Sequence, residues 1–133
     1  QLRLECDEIM TKQGYGEPTG QAKITNSYNL PCKYIIHTVG PIINGKLTSE
    51  DCDLLESCYK SCLELAVKNN LDSIAFCCIS TSVFGFPQKE AAEIAFNTVK
   101  KYFKENNKIR KVVFNVFESS DYQIYRQLLG ADK

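Results

Sequence analysis

Neither sign of charge prevails in this chain: sixteen Lys and Arg stand against sixteen Asp and Glu in 133 residues. A general nucleic-acid binder needs an excess of basic side chains to displace counterions, so the balance argues against that class. No apolar run is long enough to span a bilayer, and no basic stretch followed by an apolar one suggests a secretion signal. Repeats, low-complexity tracts and interdomain linkers are missing too, and the length suits one domain with a real core. Histidine occurs once, at His37. It falls mid-strand on the same face as Ile35 and Val39, and reads as a hydrogen-bonded core residue. No Cys/His dyad follows from its spacing.

Cysteine, by contrast, is plentiful: seven, an odd number, with none in a C-x-x-C pair. Most lie inside periodic apolar patterns, where a reduced thiol behaves as a small hydrophobe, so a reducing cytoplasm is the expected location. Cys58 and Cys62 are one helical turn apart in a stripe with Leu55 and Ala66, and read as packing rather than as metal ligands. Cys77 and Cys78, adjacent in a strand, point to opposite faces and do not clamp one ion. Cysteine count alone leaves a thiol or metal redox protein as one alternative.

The periodicities predict alternating strands and helices. Gln1–Met10 reads as helix, with Leu2, Cys6, Ile9 and Met10 on one face but no N-cap, and is expected to be the second half of a longer helix. Gly14, Gly16, Pro18 and Gly20 form a loop, Ala22–Thr25 a short strand, Asn26–Pro31 a turn and Cys32–Val39 a strong strand. Thr48, with Asp51 three residues on, caps a helix running to about Asn69; Leu55, Cys58, Tyr59, Cys62, Leu63 and Ala66 form its apolar stripe. Asn69-Asn70 suits a left-handed C-terminal turn. Ser73–Ser80 is the next strand.

A helix over Gln88–Glu105 is expected to bury Ala91, Ala92, Ala95, Val99, Tyr102 and Phe103, with Lys100, Lys101 and Lys104 on its solvated face. Lys111–Phe117 is a further strand. Ser119 or Ser120 caps a last helix carrying Tyr122, Tyr125, Leu128 and Leu129, with Asp121 in its first turn favouring the dipole. The fold class is α/β, with a largely parallel sheet covered on both faces and the runs 73–79 and 112–117 buried on both sides. Ligands in such sheets bind beyond the carboxyl ends of the strands, where the loops after Val39, Ser80 and Phe117 converge on one cleft.

The stretch Ser80-Thr81-Ser82-Val83-Phe84-Gly85-Phe86-Pro87 joins an apolar strand to a helix start. Outward-facing N–H groups and the positive end of the helix dipole make such a turn a place for an anion, and Phe84 and Phe86 are placed to wall it. Read from pattern alone, it is also an ordinary strand-to-helix connection.

Taken together the residues resemble the macrodomain family of ADP-ribose binders. The resemblance rests on Gly20–Thr25, Tyr28-Asn29-Leu30-Pro31, Tyr34–Pro41, Ser73–Phe76, Ile79-Ser80-Thr81, and Val83–Pro87 ahead of Ala91-Ala92. It spans nearly the whole chain in order, and is nearest to the zinc-containing microbial branch that removes ADP-ribose from proteins.

The resemblance implies a three-layer α/β/α macrodomain with a mixed central sheet over residues 1–133, lacking its N-terminal segment. Ser80, Thr81, Ser82, Val83, Phe84, Gly85 and Phe86 would bind ADP-ribose by wrapping the diphosphate and distal ribose with backbone amides. Phe84 would lie near that ribose and Phe117 against adenine, although pattern alone equally makes Phe117 the last core residue of its strand. Ser82 stands where the family usually has glycine. The family's adenine-contacting Asp, ribose-contacting Asn, glycine-rich loop and Cys/His zinc loop would all precede Gln1, so no catalytic residue is named and zinc is expected only from such a segment.

The implied function is hydrolysis of the glycosidic bond between ADP-ribose and modified proteins. The implied partners are ADP-ribose or ADP-ribosylated protein, with neither nucleic acid nor membrane. The alternative is a catalytically inactive ADP-ribose-binding or interaction module.

Overall fold

In the computed structural model, residues 19–26, 33–81, 84–116 and 118–131 are described. The helix read over Gln1–Met10, the loop residues Gly14, Gly16 and Pro18, and most of the turn before Lys33 lie outside them.

Described elements follow the order β1 (Ala22–Asn26), β2 (Tyr34–Thr38), α1 (Ser49–Lys68), β3 (Ser73–Phe76), α2 (Gln88–Glu105), β4 (Lys111–Phe114) and α3 (Ser119–Ala131). Strands β1 and β2 pair antiparallel, with Ile24 opposite Ile36; β3 and β4 pair parallel, with Ala75 opposite Val113. Among the described residues these are two separate ladders, not one continuous sheet. The architecture is mixed α/β as expected, but only one of the two ladders is parallel.

Helix α1 starts where the sequence places it. The Thr48 hydroxyl accepts from the Asp51 N–H (3.2 Å), and the Asp51 carboxylate accepts from the Thr48 N–H (3.0 Å), so two otherwise unpaired donors satisfy each other's residues. At the far end Asn70 adopts φ +60°, and the Asn70 and Leu71 amides return to Val67 and Ala66. Every residue of the expected stripe, from Leu55 to Ala66, is buried. That stripe packs against both ladders and against α2, and α2 in turn packs against α3.

From α1 a run of rings crosses the core. Tyr59 meets Phe76 edge-on at 4.9 Å, Phe76 lies over Phe114 at 6.2 Å, and Phe114 stacks on Tyr125 at 4.7 Å. Such aromatic pairs add roughly 0.5–1.5 kcal/mol each beyond their area burial.

Several expectations need correction. The strands are shorter than the apolar runs, since β2 starts at Tyr34, β3 stops at Phe76 and β4 stops at Phe114. Nor are β3 and β4 buried on both sides. Ser73, Ala75, Lys111 and Val113 are exposed, while Ile74, Phe76, Val112 and Phe114 face the helices.

In α2 the buried face is Ala91, Ala92, Ala95, Thr98 and Val99; Tyr102 is half-buried and Phe103 lies in solvent. Thr98 takes the inward place by giving its hydroxyl to the Ile94 carbonyl at 2.6 Å. In α3 the inward face is Asp121, Ile124, Tyr125 and Leu128, a helical spacing that turns Tyr122 and Leu129 outward. Ser119 and Ser120 lie inside the first turn rather than before it. The residue ahead of the helix is Glu118, whose carboxylate accepts from Gln88 Nε2 at 2.8 Å.

Candidate functional site

The carboxyl ends of β2 and β3 come together, as the α/β pattern requires. Gly40 lies against Ile79 and Ser80, so that a Cβ at position 40 would run into the Ser80 hydroxyl and lie 2.7 Å from Ile79 Cγ2. Further along the loops, the Ile43 N–H donates to the Phe84 carbonyl at 2.8 Å. Gly85 sits at φ +80°, its missing side chain facing Ile43. The loop after β4 joins the start of α2 through Glu118 and Gln88.

The loop 80–86 is closed upon itself: the Phe86 N–H donates to the Ser80 carbonyl at 2.9 Å. Phe86 is thereby corrected as a candidate ligand residue. Its amide is spent inside the loop and its ring is in the core, 2 % exposed, so it supports the loop from behind rather than walling a pocket. Thr81 and Phe84 are half-buried and Gly85 is exposed, and among the described residues their N–H groups have no hydrogen-bond partner. Ser82, Val83 and Phe117, also candidates, lie outside the described residues.

Ser80 carries two costs at once. It holds φ +66°, a left-handed conformation worth roughly 1–3 kcal/mol of strain in a non-glycine residue. It is 8 % exposed, and its hydroxyl is the one buried side-chain polar atom without a partner among the described residues. Burying a hydroxyl in that way costs about 1–3 kcal/mol.

Below the loop lies a polar group of residues that the sequence did not mark. Tyr59 and Tyr125 lie close enough for their phenols to influence each other. Burial raises both phenols. The Cys78 thiol faces the Asp121 carboxyl; burial, then the negative charge of Asp121, pushes that thiol up to about 11. Asp121 itself is only 6 % exposed, and burial followed by the nearby Glu118 carboxylate raises its pKa. The sequence reading gave Asp121 no role beyond the helix dipole. Its spacing of four and seven residues to Tyr125 and Leu128 was the available signal that it faces inward.

The remaining candidates are structural. The His37 Nε2 lies 2.9 Å from the Thr25 hydroxyl across β1 and β2, the hydrogen-bonded role expected of it. Cys58 and Cys62 are buried in the α1 stripe, where burial pushes the Cys62 thiol up to about 12. Among the described residues, no three His, Cys, Asp or Glu side chains gather to hold a metal ion, and no helix is long and apolar enough to cross a membrane.

Comparison with known proteins fits this architecture. The Macro domain family matches residues 1–95. A protein-ADP-ribose hydrolase of Treponema medium is 57% identical over 130 residues, which are 98% of this chain and 50% of that protein. The chain thus spans about half the length of the curated relatives it matches first. Among solved structures, the Oceanobacillus iheyensis macrodomain with ADP superposes with a TM-score of 0.88 at 40% identity, over 96% of this chain and 67% of that one. The Trypanosoma brucei macrodomain in complex with ADP-ribose gives 0.77 at 38% identity, over 85% and 47%. With the strand-to-loop-to-helix geometry around Ser80 and a family match over most of its length, the chain belongs to the Macro domain family.

Proposed function

We propose that this chain holds the diphosphate of ADP-ribose and serves in removing ADP-ribose from modified proteins by hydrolysis of the glycosidic bond. The observation that carries this reading is the loop 80–86, closed by the Phe86–Ser80 hydrogen bond and tied to Ile43, with the amides of Thr81, Phe84 and Gly85 unspent. Unspent backbone donors beside the start of α2 suit a diphosphate. Relatives named protein-ADP-ribose hydrolase and macrodomains solved with ADP and ADP-ribose support the same ligand.

Ser80, Thr81, Phe84 and Gly85 are proposed for this site with the loop's hydrogen bonding in support, and Ser82, Val83 and Phe117 on resemblance. In the reaction, water attacks the anomeric carbon of the distal ribose while the bond to the protein side chain breaks. Positive charge develops on that ribose, and a fixed diphosphate beside it holds the sugar in place. Any zinc is proposed to be held outside this chain, and no step is derived through it. A reducing cytoplasm is the location proposed, in keeping with the free thiols of Cys52, Cys58, Cys62, Cys77 and Cys78.

Isothermal titration of the full-length protein with ADP-ribose is expected to give saturable binding; no heat at high ligand concentration rejects the reading. Release of ADP-ribose from a modified protein separates the hydrolase from an inactive binding module, which binds without turnover.

A further inference from the structure

We propose that the far end of α2 and the turn into β4 form a second binding surface, one that takes single-stranded nucleic acid. It lies apart from the loop 80–86 and does not rest on the ADP-ribose reading. Helix α2 begins beside that loop, and its 18 residues carry the chain about 27 Å away. Residues 100–111 hold six Lys or Arg and one acidic residue, Glu105, in a chain whose sixteen basic and sixteen acidic residues cancel. Total charge, which argued against a nucleic-acid partner, hides this concentration.

Lys101, Lys104, Lys108, Arg110 and Lys111 are exposed, and among the described residues none of them has an ion-pair partner. Local structure accounts for part of the basic set. Lys100 lies over the Phe96 ring at 5.9 Å, and Lys104 in the last turn suits the helix dipole. Lys108, Arg110 and Lys111 come after the helix and are not explained in that way. The Arg110 and Lys111 amides both return to the Asp72 carbonyl, at 2.7 and 3.2 Å, which fixes this short run beside the start of β3. Among these cations Phe103 is 40 % exposed. It lines a shallow hollow of about 420 Å³ with Lys104, Glu105, Asn106, Asn107 and Lys108. The Asn106 side-chain carbonyl accepts the Lys108 N–H at 2.8 Å, which closes the turn and leaves the Asn106 NH2 group to donate. Lysines meet phosphates, an exposed ring gives a base a face to stack on, and side-chain amides bond to base edges. An acidic polypeptide would use the cations but has no use for the ring.

Fluorescence anisotropy of a labelled oligothymidylate of about twelve nucleotides, titrated with the full-length protein at about 50 mM salt, tests this. Phe103→Leu keeps the apolar bulk and removes the stacking face. Lys104→Gln combined with Lys108→Gln removes two charges without reversing them. Wild-type protein is expected to bind, and Phe103→Leu to weaken binding about fivefold or more. The lysine pair is expected to lower the slope of log affinity against log salt by about 1.4. All three side chains are exposed, so melting temperature and ADP-ribose titration should match wild type in both variants. No anisotropy change with wild-type protein overturns the inference. So does affinity within about twofold of wild type in Phe103→Leu, or an unchanged salt slope in the lysine variant. Polyglutamate that displaces the oligonucleotide at equal charge concentration also overturns it, because the surface then reads charge alone.

Discussion

The Ser80 carbonyl accepts the Phe86 N–H at 2.9 Å, so the residue that opens the loop 80–86 is held by the residue that ends it. The Phe86 ring is anchored in the core. The shape of the loop therefore depends on packing behind it, and a core change here reaches the site. Phe86→Ala is expected to cost about 3–5 kcal/mol in urea unfolding, and ADP-ribose affinity is expected to fall in protein that remains folded. An unchanged unfolding midpoint would show the ring to be dispensable.

Gly40 has no room for a side chain, because a Cβ would collide with the Ser80 hydroxyl and with Ile79. Gly40→Ala is expected to destabilise by about 1–3 kcal/mol through overpacking. The displaced Ser80 should weaken ADP-ribose binding more than tenfold. Melting curves and titration calorimetry on the same sample check both effects.

Asp121 gives a pH dependence whose sign is fixed. Its folded pKa lies above the ordinary 3.8, so across that interval the folded protein binds more protons than the unfolded one. Stability attributable to this group therefore falls as pH rises from about 4 through the folded pKa. Asp121→Asn removes the ionisation and is expected to be more stable than wild type at pH 7, with the difference shrinking towards pH 4. Urea midpoints at the two pH values measure it, and a constant difference contradicts the assignment.

Thr48→Ala deletes the hydroxyl that caps α1, at a cost of about 1 kcal/mol. The cap is exposed and is placed outside the proposed binding loop, so ADP-ribose affinity should not change. Thermal melting paired with titration separates the two.

Cys62 is buried with its thiol raised to about 12, whereas Cys77 is exposed. Brief iodoacetamide treatment of native protein at pH 8 is expected to label Cys77 and leave Cys62 intact until denaturant is added. Peptide mass spectrometry reads the order directly.

Helix α1 is legible in the sequence from cap to last turn, because a capping pair, a six-residue apolar stripe and two asparagines all favour the same boundaries. The strand limits are less legible, since β-branched and aromatic residues persist beyond Phe76 and Phe114 after the ladder has ended. Apolar runs record burial, and Ile79 and Val116 are covered by the core without pairing. The loop 80–86 is legible as a turn between a strand and a helix. Its inner wiring is not: nothing in the letters distinguishes Phe84, half-buried at the loop, from Phe86, committed to the core. Asp121 is hidden for the opposite reason, because a carboxylate in a first helical turn is so readily explained by the dipole that its spacing to Tyr125 and Leu128 is passed over.

The hydrogen bond from Ile43 to Phe84 is, among the described residues, the one backbone link between the β2 side of the protein and the β3 side outside the shared helix. Together with the packing of Gly40 against Ile79 and Ser80 it joins the two sides, and deuterium uptake at the Ile43 amide becomes a gauge of how firmly they are clasped.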